Sequence, residues 1–201
     1  LRNGDVDAAM SVGRRIVDEI IQNPRVTLDL IDLRSYDDYT YRHSVNVAVI
    51  STVIGINMQL NRLALDELSI AAILHDIGKR RIDPKIINKK GKLTPEEYTE
   101  VKRHSEYGYE MVKSRIDLSA KIKNAILLHH ENEDGSGYPK GLKGNQIFIY
   151  AKIIHVADVF DALTAKRPYK KAYAQSEAAE YLMGSCDRMF DREVVKAFLQ
   201  C

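Results

Sequence analysis

Six histidines stand at positions 43, 75, 104, 129, 130 and 155. One of them heads the stretch HDIGK, His75 to Lys79, where a histidine, an aspartate and a lysine fall within a turn and a half of otherwise apolar helix. Burying such groups unpaired costs several kcal/mol, so something must compensate. His43 shares a helical face with Val47, Ile50 and Ile54; His75 follows AAIL, with Ala71 and Gly78 on its own face; His129 and His130 end the apolar run AILL. Three separate helices therefore turn imidazoles inward. Neutral imidazoles satisfy one another poorly, and charged ones repel. Divalent metal ions resolve the conflict, because neutral imidazole and carboxylate bind them together.

Two acids fit that chemistry. Asp76 adjoins His75; adjacent helical side chains diverge by about 100°, so the two need not serve one ion, but a carboxylate has two oxygens and can bridge two ions. Asp158, in HVADVFDALTAKRPYK, is the other buried candidate, although alone it would read as a helix acid paired with a nearby base. His155, in the same stretch, has no such context and reads as structural.

The elements that must position these groups are helices. The period of apolar residues predicts helices over 5–22, 38–58, 64–78, from TPEE onward, 119–130, 148–165, 176–185 and 191–199. In TPEE, Thr94 caps, Pro95 takes the first helical position and Glu97 completes a capping box; Asp191 caps the last helix. Strand-like alternation is scarce. Residues 131–146 hold Gly135, Gly137, Pro139, Gly141 and Gly144 between strong helices, which suggests a shaped functional loop.

At 201 residues, 45% hydrophobic and 29% charged, the chain fits one soluble domain, 1–201, with a helical lead-in over 1–35 and a core over 36–201. A net charge of +2 gives no basis for binding a nucleic-acid polymer. Cys186 and Cys201 form no CxxC pair, which points away from a disulfide framework or thiolate zinc and toward a reducing cytoplasm. No apolar run has membrane-spanning length and no signal peptide is visible, so no membrane contact by this segment is expected. The first residue is Leu1 rather than methionine, as in a piece of a larger signalling protein.

HDIGK, the HHE of 129–131, DGSGYPKGLKG and ADVFDALTAKRPYK, in this order, resemble the HD-GYP domains of bacterial signalling, part of the HD phosphohydrolase superfamily. The resemblance runs from about Tyr36 to Leu199, and the GYP triplet of Gly137, Tyr138 and Pro139 is its most specific mark. It implies an all-α multi-helix bundle. It also implies metal ligands at His43, His75, Asp76, His104, His129, His130 and Asp158, with His43, His75, Asp76 and Asp158 on one ion, Asp76, His104, His129 and His130 on the other, and Asp76 bridging. The residue after HHE, often basic in the family, is Asn132. Some members hold a third ion with a glutamate four residues before the first histidine; here that position is Tyr39, with Asp37 and Asp38 pointing elsewhere, so two ions are expected. Iron or manganese is favoured, and zinc or nickel suits the same donors.

Two ions about 3.5–4 Å apart activate a water and align an in-line attack on phosphate. The sequence shows no Ser-His-Asp or Cys-His arrangement and no phosphate-binding glycine loop to compete with that route. Lys79, one turn beyond His75, would be a cation on the attacked phosphate rather than a solvated helix-end lysine. The resemblance makes cyclic di-GMP the substrate and pGpG, with GMP beyond it, the product. Arg167 and Lys170 would grip the second phosphate or a guanine, Tyr138 would line the pocket or stack on a base, and Asp161 would accept from Lys79 or from substrate. Two other readings stay open: a hydrolase of another nucleotide or hybrid cyclic dinucleotide, and a non-enzymatic cyclic-dinucleotide sensor or docking module. A signalling-protein partner at the GYP loop and a homodimer are compatible with either.

Overall fold

A computed structural model of the chain describes residues 3–23, 39–165 and 172–200. Several of its helix starts are set by side chains. Asn61 accepts from the Ala64 amide at 3.0 Å and opens α3 (Arg62–Leu74). Thr94 and Glu97 exchange the two hydrogen bonds of a capping box at α5 (Pro95–Lys102). Ser119 caps α7 (Ala120–Leu128), and Asp191 accepts from the Glu193 and Val194 amides ahead of α10 (Arg192–Phe198). Each such cap satisfies donors that a helix cannot satisfy internally. The remaining elements are α1 (Asn3–Gln22), α2 (Tyr39–Asn57), a 3₁₀ turn (Ile77–Arg81), α4 (Pro84–Ile87), α6 (His104–Val112), a 3₁₀ turn (Gly144–Gln146), α8 (Ile149–Thr164) and α9 (Gln175–Gly184). Among the described residues there is no β-strand, only an isolated bridge between Cys186 and Phe190. The fold is all-α, as expected.

The core is built around α8 and the α2–α3 pair. Tyr150 to Ala157 are all buried, so α8 has no solvent face along that stretch and serves as a central post. α2 packs on α3 and α8; α3 also touches α1 and α7; α10 closes on α2 and α8. Val47, Ile54, Leu68, Ala71, Ala72, Ile126, Ile153 and Ile154 have essentially no exposure. Each large aliphatic side chain in that set contributes about 1.5–3 kcal/mol on burial.

The predicted helix over 64–78 is shorter than expected. It stops at Leu74 with His75 as its C-cap, Asp76 adopts φ −96° and ψ 5°, and the 3₁₀ turn follows. The physical reason is Gly78. A β-carbon there would stand 1.9 Å from the His104 carbonyl oxygen, so only glycine lets this segment press against α6. The run that starts at TPEE likewise breaks, at Arg103, into α5 and α6.

Candidate metal centre

Three histidines sit where helices end. His75 follows α3, His129 follows α7, and His104 lies two residues beyond α5. The Nδ1–H of each donates to a carbonyl three residues back: His75 to Ala72 at 2.6 Å, His104 to Val101 at 2.7 Å, His129 to Ile126 at 2.8 Å. Carbonyls of a last turn lack helical partners, and here an imidazole supplies one. The same contact fixes the tautomer, leaving the Nε2 lone pair of all three rings directed inward. His43, on α2, is fixed from another side: its Nδ1 donates to Asp161 Oδ2 at 2.7 Å.

These lone pairs meet one another and two carboxylates. The Nε2 atoms of His104 and His129 are 3.2 Å apart. Asp76 lies 3.4 Å from His104 Nε2, 3.5 Å from His75 Nε2 and 3.7 Å from His43 Nε2. Asp158, from α8, lies 3.1 Å from His43 Nε2 and 4.0 Å from His75 Nε2. Among the described residues, three groups of side chains present ligand atoms within 4.8 Å of one another: His43, His75 and Asp158; His75, Asp76 and His129; His104, His129 and His130. Within them His75 Nε2 and Asp76 Oδ1 are buried without a hydrogen-bond partner. Orphaned atoms of this kind are rare in folded proteins, and paired orphans of acceptor character fit a cation.

The electrostatics agree. Burial pushes His104, His129 and His130 below the ordinary imidazole range. Burial alone would raise the carboxyl of Asp76, but His75, Lys79 and His104 hold it well below the usual range. Asp158 is held low in the same way by His43 and His75. Burial would lower the His43 pKa, yet Asp158 and Asp161 lift it to about 10. Two ionised carboxylates thus sit among mostly neutral imidazoles and draw positive charge to the cluster. That balance is what a divalent ion supplies.

Around this cluster the other expected residues take definite places. Lys79 Nζ donates to Asp76 Oδ2 at 2.5 Å and is about one-third exposed. Tyr138 stacks on His130 with ring centroids 4.7 Å apart. His155 is buried with its ring 4.9 Å from that of Phe190, and burial lowers its pKa to about 4. Asp161 is found behind His43, its other oxygen accepting from Asn46 at 2.9 Å; it was expected opposite Lys79 or substrate. The helical spacing explains the difference, since one turn beyond Asp158 the side chain reaches α2 rather than the 3₁₀ turn. Arg167 and Lys170 lie outside the described residues, as does the side chain of Tyr39.

Sequence reasoning passed over Glu131. Its two buried oxygens accept from the Lys140 amide at 2.7 Å and the Leu142 amide at 2.9 Å, pinning the glycine-rich loop beneath the cluster. A β-carbon at Gly137 would come within 2.4 Å of the His130 carbonyl oxygen, so the loop lies flat against that strand of chain. Tyr138 is held there by its amide, which donates to the same oxygen at 3.1 Å. The only signal for Glu131 was its place directly after the double histidine.

The HD domain family profile matches residues 25–194. A cyclic di-GMP phosphodiesterase of Pseudomonas aeruginosa is 39% identical over 189 residues, covering 92% of this chain and 45% of that protein. A 3'3'-cGAMP-specific phosphodiesterase of Vibrio cholerae is 40% identical over 136 residues, covering 67% of this chain and 26% of that protein. The chain therefore spans less than half the length of either relative. An HDG"Y"P protein of Bdellovibrio bacteriovorus superposes with a TM-score of 0.81 at 20% identity, covering 97% of this chain and 62% of that one. Among the described residues no helix is long and apolar enough to cross a membrane.

Proposed function

The chain belongs to the HD domain family, and on that footing we propose that it hydrolyses a phosphodiester bond of cyclic di-GMP with two divalent metal ions held in the imidazole–carboxylate cluster. The observation that carries the proposal is the pair of orphaned buried atoms, His75 Nε2 and Asp76 Oδ1, inside a shell of rings whose outer nitrogens are already committed to backbone carbonyls.

His43, His75, Asp76 and Asp158 would hold one ion; Asp76, His104, His129 and His130 would hold the other. When bound, such a pair polarises a phosphate, lowers the pKa of water and aligns attack with departure. The chain's own part is orientation. Asp161 keeps the His43 Nε2 atom aimed at the cluster, and the three carbonyl contacts do the same for the Nε2 atoms of His75, His104 and His129. Lys79 stands on Asp76 at the cluster's edge, within reach of a phosphate oxygen whose charge grows during attack. Tyr138 offers a ring face beside His130. Arg167 and Lys170 complete the proposed grip on substrate. Iron or manganese is the favoured metal, and a cytoplasmic location belongs to the same reading.

The relative from Vibrio cholerae bears a name specific for 3'3'-cGAMP, which makes the hybrid dinucleotide the second reading. Metal-loaded protein incubated with cyclic di-GMP, 3'3'-cGAMP and cyclic di-AMP, with products separated by chromatography, tests both. The expected result is pGpG from cyclic di-GMP, lost after chelation and in Asp76→Ala, which should also lose at least one ion by elemental analysis. Full metal content with a normal rate in Asp76→Ala would overturn the site; turnover of 3'3'-cGAMP alone would overturn the substrate.

A further inference from the structure

Lys102 ends α5, two residues before His104. Its ammonium lies 5.2 Å from the centroid of the Tyr98 ring and 5.8 Å from that of Tyr138. Tyr98 is one helical turn earlier on α5, so helix geometry alone places it there. Tyr138 comes from the glycine-rich loop and stacks with its ring 4.7 Å from His130. The four side chains therefore form a row that starts in the metal cluster at His130, passes Tyr138 and Lys102, and ends at Tyr98, which is 54% exposed.

The two acids of α5 nearest to Lys102 in sequence are committed elsewhere. Glu97 pairs with Lys89 and caps at the Thr94 amide, and Glu100 accepts from Arg103 and Tyr107. No carboxylate lies within ion-pair distance of the Lys102 ammonium among the described residues. Two ring faces flank its charge, a contact of modest strength that a phosphate readily exceeds. A cation flanked by aromatic faces suits an anion that carries flat bases on either side of it.

We infer that Lys102, with Tyr98, is a specificity subsite for the phosphate that is not cleaved and for its adjoining base. This rests on the cyclic dinucleotide reading above and adds what distinguishes a dinucleotide from a simple diester. The scissile phosphate occupies the imidazole–carboxylate cluster. The second phosphate reaches outward along the row to Lys102, and one base lies on Tyr98.

The test compares cyclic di-GMP with bis(p-nitrophenyl) phosphate, a diester that has one phosphate and no second half. Lys102→Met keeps the aliphatic stem and removes the charge. It should raise KM for cyclic di-GMP about tenfold or more, the scale of one lost charge-assisted contact, with kcat little changed. Its kinetics on bis(p-nitrophenyl) phosphate should match the wild type, and Lys102→Arg should restore most of the KM. Tyr98→Ala should raise KM for cyclic di-GMP, while Tyr98→Phe, which retains the ring, should not. An unchanged KM for cyclic di-GMP in Lys102→Met, or an equal loss on both substrates, would overturn the subsite. Wild-type protein that cleaves the simple diester but no cyclic dinucleotide would instead overturn the proposed function, and the subsite with it.

Discussion

Asp161 Oδ2 accepts the Nδ1 proton of His43 at 2.7 Å, while its Oδ1 accepts from Asn46 at 2.9 Å. A carboxylate behind an imidazole fixes which ring nitrogen carries the proton and strengthens the other as a ligand. Asp161 is thus a positioning residue for His43. Asp161→Ala should weaken metal affinity by about 10–100-fold, measured by competition with a chelator, and excess metal should restore turnover. Affinity equal to the wild type would count against this role.

How far this site could be seen beforehand follows from the range of each interaction. The caps at Thr94 and Asp191 act within three residues, and their side chains announce them. The inward faces of His43, His75 and His129 follow from helical period. The end of α3 does not, because it is imposed by the approach of Gly78 to His104, and that contact links segments remote in sequence. That His75 Nε2 and Asp76 Oδ2 approach to 3.5 Å despite the divergence of adjacent helical side chains depends on rotamers that spacing does not give. Asp161 on His43 and Tyr138 on Lys102 are tertiary pairings, as is Gly78 on His104. No spacing rule reaches across that much chain.

The Glu131 carboxylate is the clasp of the glycine-rich loop, accepting from the Lys140 and Leu142 amides. Glu131→Ala removes both hydrogen bonds to the Lys140 and Leu142 amides, at a cost of about 2 kcal/mol. For a domain of this size that lowers Tm by about 4–8 °C. Glu131→Gln, which keeps an acceptor, should lose roughly half as much. Thermal unfolding of the three proteins checks this, and a Glu131→Ala protein that melts with the wild type would show that the clasp contributes nothing.

Lys152 is a buried cation between Glu133 and Asp191, 2.8 Å from each. Burial would raise the Asp191 carboxyl, but the Lys152 ammonium holds it below the ordinary carboxylate range. A depressed folded pKa stabilises the protein above the unfolded carboxylate pKa, and that stability is lost as pH falls through the folded value. Asp191→Asn keeps a capping oxygen for α10 but not the charge. Urea midpoints followed from neutral pH into acid should therefore fall more steeply in the wild type than in Asp191→Asn. Parallel acid limbs would mean that the Lys152 pairing does not set Asp191.

Lys79 rests on Asp76 at 2.5 Å yet keeps about one-third of its surface in solvent. Its partner is the carboxylate proposed to bridge the ions, so its charge is already drawn to the reaction centre before substrate arrives. Bound metal would compete for the same oxygen and release the ammonium toward an incoming phosphate. A preorganised donor of this kind is worth roughly 3 kcal/mol at the transition state. Lys79→Ala should therefore retain its metal by elemental analysis while kcat on cyclic di-GMP falls about 100-fold. The alternative role, support of Asp76 as a ligand, predicts the opposite split, in which metal content drops and excess metal rescues the rate. Full metal content with an unchanged rate would return Lys79 to the ordinary duty of a lysine near a helix end.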